Sequence, residues 1–248
     1  MEEKTKSVVT ESFLGIAEPF LTGLLFSHFS GKTNIYPEWT YTQQSIIVLN
    51  FPIKEFLDAG IIAQSVFKLI FQQTLERRPK GENFNPVFLW CDEAQYFVNP
   101  YDQLFLTTAR SSKVATVFLS QNISNYLAIM GKGQETKAQV DSLMGNLCTK
   151  IFHANSDAET NEYASRLVGS VMRAVYNESA QYNHASLLPT HSEGTSTQLM
   201  AQLTPRDFTI LSTGGKEKKV HGILIVSGKE WSDGDNFQMV TWNQKFYN

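Results

Sequence analysis

The chain has 248 residues, of which 42% are hydrophobic and 18% are charged. This length and composition predict a globular protein with either one large α/β domain or two small ones. The formal net charge is −3, so bulk charge gives no support for nucleic-acid binding, and any such surface must be local. The five histidines show no metal-ligand spacing, and the two cysteines are predicted to be buried thiols rather than a disulfide.

The longest apolar stretch runs from Phe13 to Phe29 and is interrupted by Glu18 and Pro19. A membrane-spanning helix needs about 20 consecutive apolar residues, and proline breaks a helix interior. The stretch is therefore predicted to form a pair of core helices broken at Pro19, and the chain itself is expected to be soluble.

The next elements are a strand and a long helix. Ser45 to Asn50 is an apolar run that predicts a strand. Asp58 can cap the helix that follows, and apolar residues recur at helical spacing until Arg77 and Arg78. Pro79 then ends the helix.

The run from Val87 to Cys91 leads directly into two adjacent acids, Asp92 and Glu93. An apolar run without alternation predicts a strand that is buried on both faces. The acids would then lie at the carboxyl end of that strand, where open α/β sheets bind their ligands. Two interpretations stay open from these residues alone, a Walker B element and a core strand that ends in two solvated acids.

Further strands and helices alternate along the rest of the chain. A short helix is predicted near residues 102–110, and a strand near 114–119 that ends just before Gln121. The pattern continues with helices near 123–130 and 136–147, a strand near 149–153 and a helix opened by a capping box at Ser156 and Glu159.

The pattern weakens from residue 169 onward. Residues 169–202 are rich in Ser, Thr, Asn, His and Gly, which predicts a loop-rich excursion. A short helix near Leu203, a turn at Gly214 and Gly215, and a strand at 220–226 follow. The predicted organisation is therefore residues 1–168 as the main core, 169–202 as the excursion, and 203–248 as a strand and hairpin that complete the same domain.

At least four alternations of strand and helix predict an α/β fold with a mostly parallel sheet and helices on both faces. Three predicted strands end in polar side chains, which are Asn50, the pair Asp92 and Glu93, and Gln121. Because the carboxyl ends of parallel strands meet at one edge of the sheet, these groups suggest a shared phosphate and metal site.

Taken together, these motifs resemble the conjugative coupling proteins of type IV secretion, the VirD4/TraG/TraD group of the FtsK/HerA-like P-loop ATPases. The resemblance covers nearly the whole chain and rests on the order and spacing of several local motifs. Those motifs are Ile46–Pro52, Phe88–Gln95, Ala109–Arg110 with Val114–Gln121, Gly145–Glu162, and Leu203–Pro205 with Gly214–Gly215.

The resemblance implies a RecA-like P-loop ATPase core that uses ATP and Mg²⁺. The resemblance implies that Asp92 holds Mg²⁺ and that Glu93 is the catalytic base. Gln121 senses the γ-phosphate, although it could instead cap the next helix. Arg110 serves as an arginine finger delivered to a neighbouring subunit, although a solvated Arg at the end of a short helix is the alternative.

Asn155 and Asp157 are further candidate nucleotide contacts by the same resemblance, and polar groups at a helix start are the alternative. The implied partners are DNA, a relaxase or other secretion substrate, components of the secretion channel, and five further copies in a homo-hexamer. The implied location is the cytoplasmic face of the bacterial inner membrane, through an anchor upstream of this chain.

The sequence departs from the family at the phosphate-binding loop. A P-loop needs Gly, four residues and then Gly-Lys-Ser/Thr, because successive backbone N–H groups and the Lys wrap the phosphates. Gly31-Lys32-Thr33 ends correctly, but position 26 is Phe26. We therefore expect a core that is incomplete at its N-terminus and a chain that does not hydrolyse ATP alone.

The main hypothesis is that the chain is part of a DNA-translocating ATPase, and two alternatives stay open. One is a non-hydrolysing recognition or docking module of the same fold. The other is an unrelated α/β enzyme whose acids perform other chemistry, although no Ser-His-Asp or Cys-His signature is present.

Overall fold

A computed structural model of the chain describes residues 3–79, 81, 84–131, 133–181 and 190–245. The chain divides into two compact units, one with Met1–Ser120 and Tyr126–Asn146, the other with Gln121–Asn125 and Leu147–Asn248. Within the described ranges, none of the helices combines the length and the apolar character needed to cross a membrane.

The first unit begins with helices α1 (Glu3–Ala17) and α2 (Gly23–Phe29), separated by a short 3-10 helix at Glu18–Phe20. The predicted break at Pro19 is therefore confirmed. The predicted burial is wrong, because Val8, Phe13 and Leu21 each expose more than half of their side-chain surface. A short helix α3 (Trp39–Thr42) follows.

The predicted strand at Ser45–Asn50 does not form. These residues have no regular secondary structure, and Ile46 and Val48 are 91% and 78% exposed. A strand needs a neighbour to satisfy its backbone groups, and no described strand pairs with this segment. Helix α4 (Ile53–Arg77) comes next, with a kink where Leu57 has a φ of 48°.

The core of the first unit is a pair of parallel strands packed against two helices. Strands β1 (Val87–Cys91) and β2 (Val114–Phe118) pair in register from Val87–Val114 to Cys91–Phe118. Helix α5 (Pro100–Thr108) joins them, and Asn99 and Asp102 form its capping box. One face of the pair packs against α4 and α5 in a cluster of Phe71, Leu75, Val87, Phe105, Ala109 and Val114.

The other face of β1 is open, so the prediction of a strand buried on both faces is wrong. Phe88 and Trp90 point to that face and are 59% and 65% exposed. Val87, Leu89 and Cys91 point to the opposite face, toward the helices. Helices α6 (Ile123–Met130) and α7 (Gln134–Asn146) follow β2 along the chain close to their predicted positions.

The second unit is built on an antiparallel sheet. Strand β7 (Lys219–Val226) pairs with β3 (Thr149–Phe152), with β6 (Thr213–Gly214) and with β8 (Phe237–Asn243). Helices α8 (Ala158–Val168) and α9 (Pro205–Thr209) cover it. The core side chains of this unit are Ala164, Val168, Phe208, Leu211, Ile223 and Ile225.

The predicted excursion is a long antiparallel ribbon rather than a loop. Strands β4 (Ser170–Gln181) and β5 (Thr190–Ala201) pair along their whole length, and residues 182–189 lie outside the described part of the chain. Met172 pairs with Leu199, and Tyr176 lies on the same face of the ribbon. All three side chains are more than 60% exposed, so this face is an apolar stripe.

The sheet topology corrects the predicted fold class. Among the described strands only β1 and β2 are parallel, and all other pairings are antiparallel. A helix lies between successive strands as far as α8, and beyond it the described α-helices include only the short α9, between β5 and β6. Beyond that point the strands follow one another through short connections, which join antiparallel neighbours. The fold is therefore mixed α/β, and a mostly parallel sheet is not confirmed.

Candidate functional site

The acid pair lies at the carboxyl end of β1, as the sequence predicted. Asp92 is exposed and Glu93 is half-buried, and the Glu93 backbone N–H donates to Asp92 Oδ1 at 3.0 Å. Glu93 has a φ of 49°, in the left-handed region that non-glycine residues rarely adopt. Such conformations persist where the surroundings fix them, and they cluster at functional sites.

A buried glutamine fixes the Glu93 carboxylate. Gln95 is 1% exposed, and its Nε2 donates to Glu93 Oε2 at 2.5 Å. Its Oε1 accepts a hydrogen bond from Ser120 Oγ at 2.8 Å, just beyond the last residue of β2. The contacts form a relay from Glu93 through Gln95 to Ser120. The relay therefore connects the carboxyl ends of the two parallel strands.

Tyr126 extends this relay, because its phenol hydrogen-bonds the Ser120 side chain. Burial raises the pKa of Tyr126 to about 12, so the phenol stays protonated at neutral pH. Sequence reasoning did not find Gln95, Ser120 or Tyr126 as part of the site. The only signal was the position of Gln95 inside the motif that follows the acids.

A buried ion pair anchors the segment that follows the acids. Lys68 Nζ lies 2.5 Å from Asp102 Oδ2 and 2.6 Å from the carbonyl oxygen of Phe97. Asp102 also accepts hydrogen bonds from Gln72 Nε2 and from the backbone N–H of Asn99, each at 2.8 Å. Both charges are almost completely buried and have several partners. Helix α4 thereby fixes the start of α5, next to the site.

The two cysteines differ. Cys91, beside Asp92, is half-buried, and burial raises the pKa of its thiol to about 11. Cys148 is exposed, which corrects the expectation that both thiols are core residues. Neither thiol is in a disulfide, as predicted.

Arg110 lies at the other end of the same strand pair. It is exposed in the turn between α5 and β2, where its carbonyl oxygen accepts a hydrogen bond from the Lys113 backbone. This turn precedes the amino end of β2, whereas Asp92 follows the carboxyl end of β1. Five residues of strand separate the two ends by about 16 Å. Arg110 therefore does not join the acid pair within this unit.

Gln121, Asn155 and Asp157 belong to the second unit and form a local network. Asn155 Nδ2 donates to the carbonyl oxygen of Gln121 at 2.6 Å. Asp157 caps α8, because its Oδ2 accepts from the Thr160 backbone N–H at 2.9 Å. The other carboxylate oxygen accepts from Ser124 Oγ at 2.8 Å. The N-cap of α8 is therefore Asp157, and the predicted capping box at Ser156 is wrong.

The environment of Asp157 has opposing effects on its acidity. Burial raises the pKa of Asp157, but hydrogen bonds from Thr160 and Ser124 outweigh burial and lower it below its usual value. Asp157 is therefore held as a carboxylate by groups of its own fold. Of the predicted site residues, Asp92, Glu93 and Arg110 lie in the first unit and the other three lie in the second.

The region of Gly31-Lys32-Thr33 has no phosphate-loop geometry. Residues 31–36 have no regular secondary structure, and no helix begins at Thr33. A helix directly after the Gly-Lys-Ser/Thr sequence is part of a P-loop, because its N-terminus binds phosphate. Among the described residues no three His, Cys, Asp or Glu side chains cluster as metal ligands, so Asp92 offers a single hard oxygen ligand.

Comparisons with known proteins agree with the motifs. Residues 86–208 match the family described as the TraM recognition site of TraD and TraG. No curated protein matches the sequence. The fold is similar to that of the unbound bacterial conjugative coupling protein TrwB, with a TM-score of 0.56 and 13% identity over 78% of this chain.

A second solved structure, of plasmid coupling protein TrwB with the non-hydrolysable GTP analogue GDPNP, matches with a TM-score of 0.52. Here 79% of this chain aligns at 14% identity. The two matches cover 40% and 39% of the TrwB chains, so this chain spans about two fifths of their length. The family match and the shared fold identify residues 86–208 as the C-terminal region of a TraG/TraD-type conjugative coupling protein.

Proposed function

We propose that this chain works as the Walker B part of a nucleotide-hydrolysing coupling protein that transfers DNA or nucleoprotein into a conjugation channel. The observation that carries the proposal is the acid pair at the end of β1, with Glu93 held by the buried Gln95. Solvated acids at the end of a core strand need no such relay. A base that must face an attacking water needs a fixed carboxylate.

Each residue of the acid pair has a separate proposed role. Asp92 is exposed and supplies a carboxylate oxygen, the ligand type that Mg²⁺ prefers. A bound Mg²⁺ supplies charge stabilisation for the transferred phosphoryl group. Glu93 accepts a proton from the attacking water, and Gln95 positions the carboxylate by donating to Oε2.

The phosphates of the nucleotide need a second segment. This sequence has no complete Gly-x₄-Gly-Lys-Ser/Thr, so the phosphate cradle must come from a P-loop-bearing segment outside these residues. The open face of β1 supports this proposal, because Phe88 and Trp90 are large apolar side chains that a complete domain would cover. The match covers 40% of the TrwB chain, which also supports a contribution from a further segment.

The other predicted residues take more distant roles. We propose Gln121 as the sensor of the γ-phosphate, and Arg110 as a finger that acts on a neighbouring subunit of a hexamer. The position of Arg110, at the amino end of the strand pair, fits a role in trans better than one in cis. Asn155 and Asp157 stay candidate nucleotide contacts, but their hydrogen bonds favour a role in supporting α8.

The proposed partners follow from the family. They are DNA, a relaxase or other secretion substrate, the channel components, and a TraM-like protein of the relaxosome. We propose that the complete protein lies at the cytoplasmic face of the inner membrane and binds ATP with Mg²⁺. The GTP analogue bound by TrwB supports nucleotide binding in the family.

A second candidate function is a recognition module that does not hydrolyse nucleotide. The apolar stripe of Met172, Tyr176 and Leu199 on the exposed ribbon favours it, since monomeric proteins rarely expose such faces. The matching family is itself described as a recognition site, and its match includes the ribbon. The two functions can coexist in one protein.

The decisive experiment uses two forms of the protein. The 248-residue chain alone should not hydrolyse ATP. The same residues joined to the P-loop-bearing segment of a coupling protein should hydrolyse ATP in the presence of DNA. Glu93→Gln should then lower kcat by about 10³-fold or more while the Kd for ATP stays unchanged, because the base acts only in the chemical step.

Glu55→Gln is the matched control, because Glu55 is exposed in the first unit and loses the same charge. Wild-type turnover in Glu93→Gln would remove Glu93 as the base. Robust Mg²⁺-dependent hydrolysis by the 248-residue chain would instead show that the phosphate cradle lies within it. A P-loop-bearing form that binds TraM-like protein but not ATP would favour the recognition module.

A further inference from the structure

A second buried cation lies at the opposite end of the first unit. Arg78 follows the last residue of α4 and is 5% exposed. Its Nη2 donates to the carbonyl oxygen of Ser112, and its guanidinium lies over the Phe84 ring at 4.0 Å from the centroid. Its Nε and Nη1 are buried, and neither has a hydrogen-bond partner among the described residues. Leaving buried donors of a charged group unpaired costs free energy, so this arrangement needs an explanation.

A cavity of about 320 Å³ lies beside Arg78. Most of its lining residues are polar, and Ile70 and Pro79 supply an apolar portion. The polar lining residues are Glu38, Tyr41, Gln73, Thr74, Arg77 and Arg78. Cavities of this volume hold small ligands, and the space exceeds that of one or two waters.

The lining is rich in hydrogen-bond donors and carries a net positive charge. Arg77 and Arg78 supply two guanidinium groups, and Tyr41, Gln73 and Thr74 supply further donors. Burial lowers the pKa of Arg78, although Tyr41 opposes that effect, so an anion beside this guanidinium relieves the cost of burying it. Planar guanidinium groups bind the oxygens of phosphate in a forked geometry, which favours an oxyanion ligand.

Glu38 narrows the choice of oxyanion. Its Oε2 is buried and has no hydrogen-bond partner in the part of the chain that the structure describes, and Glu38 lines the same cavity. A carboxylate repels a fully ionised anion but accepts a hydrogen bond from an anion that carries a proton. A phosphate monoester has its second pKa at about 6, so it can bind in the singly protonated form close to neutral pH, whereas sulfate has no proton to donate. The combination of unpaired guanidinium N–H groups and an unpaired carboxylate oxygen therefore selects protonated phosphate.

We propose that the cavity between Glu38 and Arg78 is a binding site for a phosphate monoester. Arg78 donates through Nε and Nη1, Arg77 adds a second cation at the mouth, and Glu38 accepts the phosphate proton. The apolar wall at Ile70 and Pro79 contacts the body of the ester. The site is at the amino end of β1 and β2, about 16 Å along the strands from Asp92 and Glu93. The ester is either a small phosphorylated metabolite or the terminal phosphate of a nucleic acid.

The test measures the thermal unfolding midpoint of the 248-residue chain in phosphate, sulfate and chloride at matched ionic strength and pH. Inorganic phosphate at ten times its Kd should raise Tm by about 3–5 °C. Sulfate should give a smaller rise, because it offers no proton to Glu38. Glu38→Gln should remove the preference for phosphate over sulfate, since an amide can donate to either anion.

Arg78→Met should remove the phosphate response. Arg77→Met serves as a second variant, since Arg77 is exposed and its loss leaves the core intact, and it should weaken the response. Arg110→Met is the matched control and should keep the full response, because Arg110 does not line the cavity. Glu93→Gln should also keep it, so the result is independent of the proposed hydrolysis. Equal Tm values in phosphate, sulfate and chloride would overturn the proposal.

Two single-stranded oligonucleotides distinguish the sources of the ester. One carries a 5′-phosphate, and the other has the same sequence without it. Tighter binding of the phosphorylated strand, lost in Arg78→Met, assigns the site to a nucleic-acid end. Equal binding of the two strands together with a phosphate-dependent Tm assigns it to a small phosphorylated molecule. Equal binding without any phosphate response contradicts the site altogether.

Discussion

Two buried cations near the two ends of the β1–β2 pair differ in how they are paired. Lys68 lies near the carboxyl end and contacts Asp102 and the Phe97 carbonyl oxygen, so its charge is neutralised within the fold. Arg78 lies ten residues further along the chain, about 15 Å away by helical rise, and two of its nitrogens have no hydrogen-bond partner among the described residues. A fully paired buried charge supports a structure, whereas an unpaired one can bind a ligand.

The difference assigns separate tasks to the two ends of the first unit. At the carboxyl end, Gln95 hydrogen-bonds the Glu93 carboxylate, our proposed base, and the Lys68–Asp102 pair fixes the segment that follows it. At the amino end, Arg78 and Glu38 leave donors and an acceptor open toward a cavity. Asp102→Ala, Gln95→Leu and the pair of Lys68→Met and Arg78→Met test this comparison, and Asp157→Ala tests a helix cap in the second unit.

Asp102→Ala should have the largest effect. It leaves the Lys68 ammonium buried without its carboxylate and removes the capping box of α5. We expect the free energy of unfolding to fall by about 3–5 kcal/mol, measured by urea denaturation of the chain. Asp141→Ala, at an exposed position, should change it by less than about 0.5 kcal/mol. A loss below 1 kcal/mol in Asp102→Ala would mean that the ion pair is not structural.

Gln95→Leu should lower kcat of the P-loop-bearing form by about 10- to 100-fold, because the Glu93 carboxylate loses its donor. KM for ATP should stay unchanged if Gln95 acts only by positioning the base for the chemical step. Steady-state kinetics separate the two parameters. Ser120→Ala, one step further along the relay, should lower kcat by a smaller factor. A rise in KM with kcat unchanged would argue against a positioning role for Gln95.

Arg78→Met should cost less stability than Lys68→Met, although both remove one buried cation. Lys68→Met leaves the buried Asp102 carboxyl group without its main partner, with an expected loss of about 3–5 kcal/mol. Arg78→Met removes two unpartnered nitrogens along with the hydrogen bonds of Nη2 to the Ser112 and Lys113 carbonyl oxygens, and the thioether chain can still pack on Phe84. The expected loss is about 1 kcal/mol or less. Equal losses in chemical denaturation would contradict the distinction between the two ends.

Asp157→Ala should have a small effect, similar to that of Arg78→Met, and a characteristic pH dependence. Loss of the N-cap of α8 should cost about 1 kcal/mol at pH 7. The pKa of Asp157 is lowered in the folded state, so its contribution is present above its unfolded pKa of about 3.9. The contribution disappears as the pH falls through the folded value. Denaturation curves of wild type and variant should therefore converge in acid.

The same variant also tests whether Asp157 contacts nucleotide. In the P-loop-bearing form, a cap should affect stability while the Kd for ATP stays unchanged. A weaker Kd for ATP with unchanged stability would instead assign Asp157 to the nucleotide.

The sequence predicted those elements that local signals determine. Strands β1, β2, β3 and β7 and helix α6 lie close to their predicted positions, because each is a short apolar run between turn or cap residues. The acid pair also follows β1 as predicted. These predictions required only the order of apolar runs along the chain and the polar or turn residues that end each run.

Other features depend on contacts between distant residues, which a single sequence does not specify. The run at Ser45–Asn50 has strand-like residues, but no described strand lies beside it. Strands β4 and β5 contain many polar residues, and they form because they pair with each other. Gln95 and Arg78 gain their significance from burial and from partners 25 and 34 positions away. Neither spacing nor composition reveals such contacts.

The most direct test of the central claim is single-turnover hydrolysis of ATP bound to the P-loop-bearing form, because it reports the chemical step alone. A radiolabelled nucleotide loaded onto excess protein should be converted to ADP within the wild-type turnover time after DNA is added. In Glu93→Gln, we predict that the nucleotide stays bound as ATP over the same period, with the Glu55→Gln control behaving as wild type. Conversion of ATP at the wild-type rate in Glu93→Gln would contradict the assignment of the acid pair as the hydrolytic site.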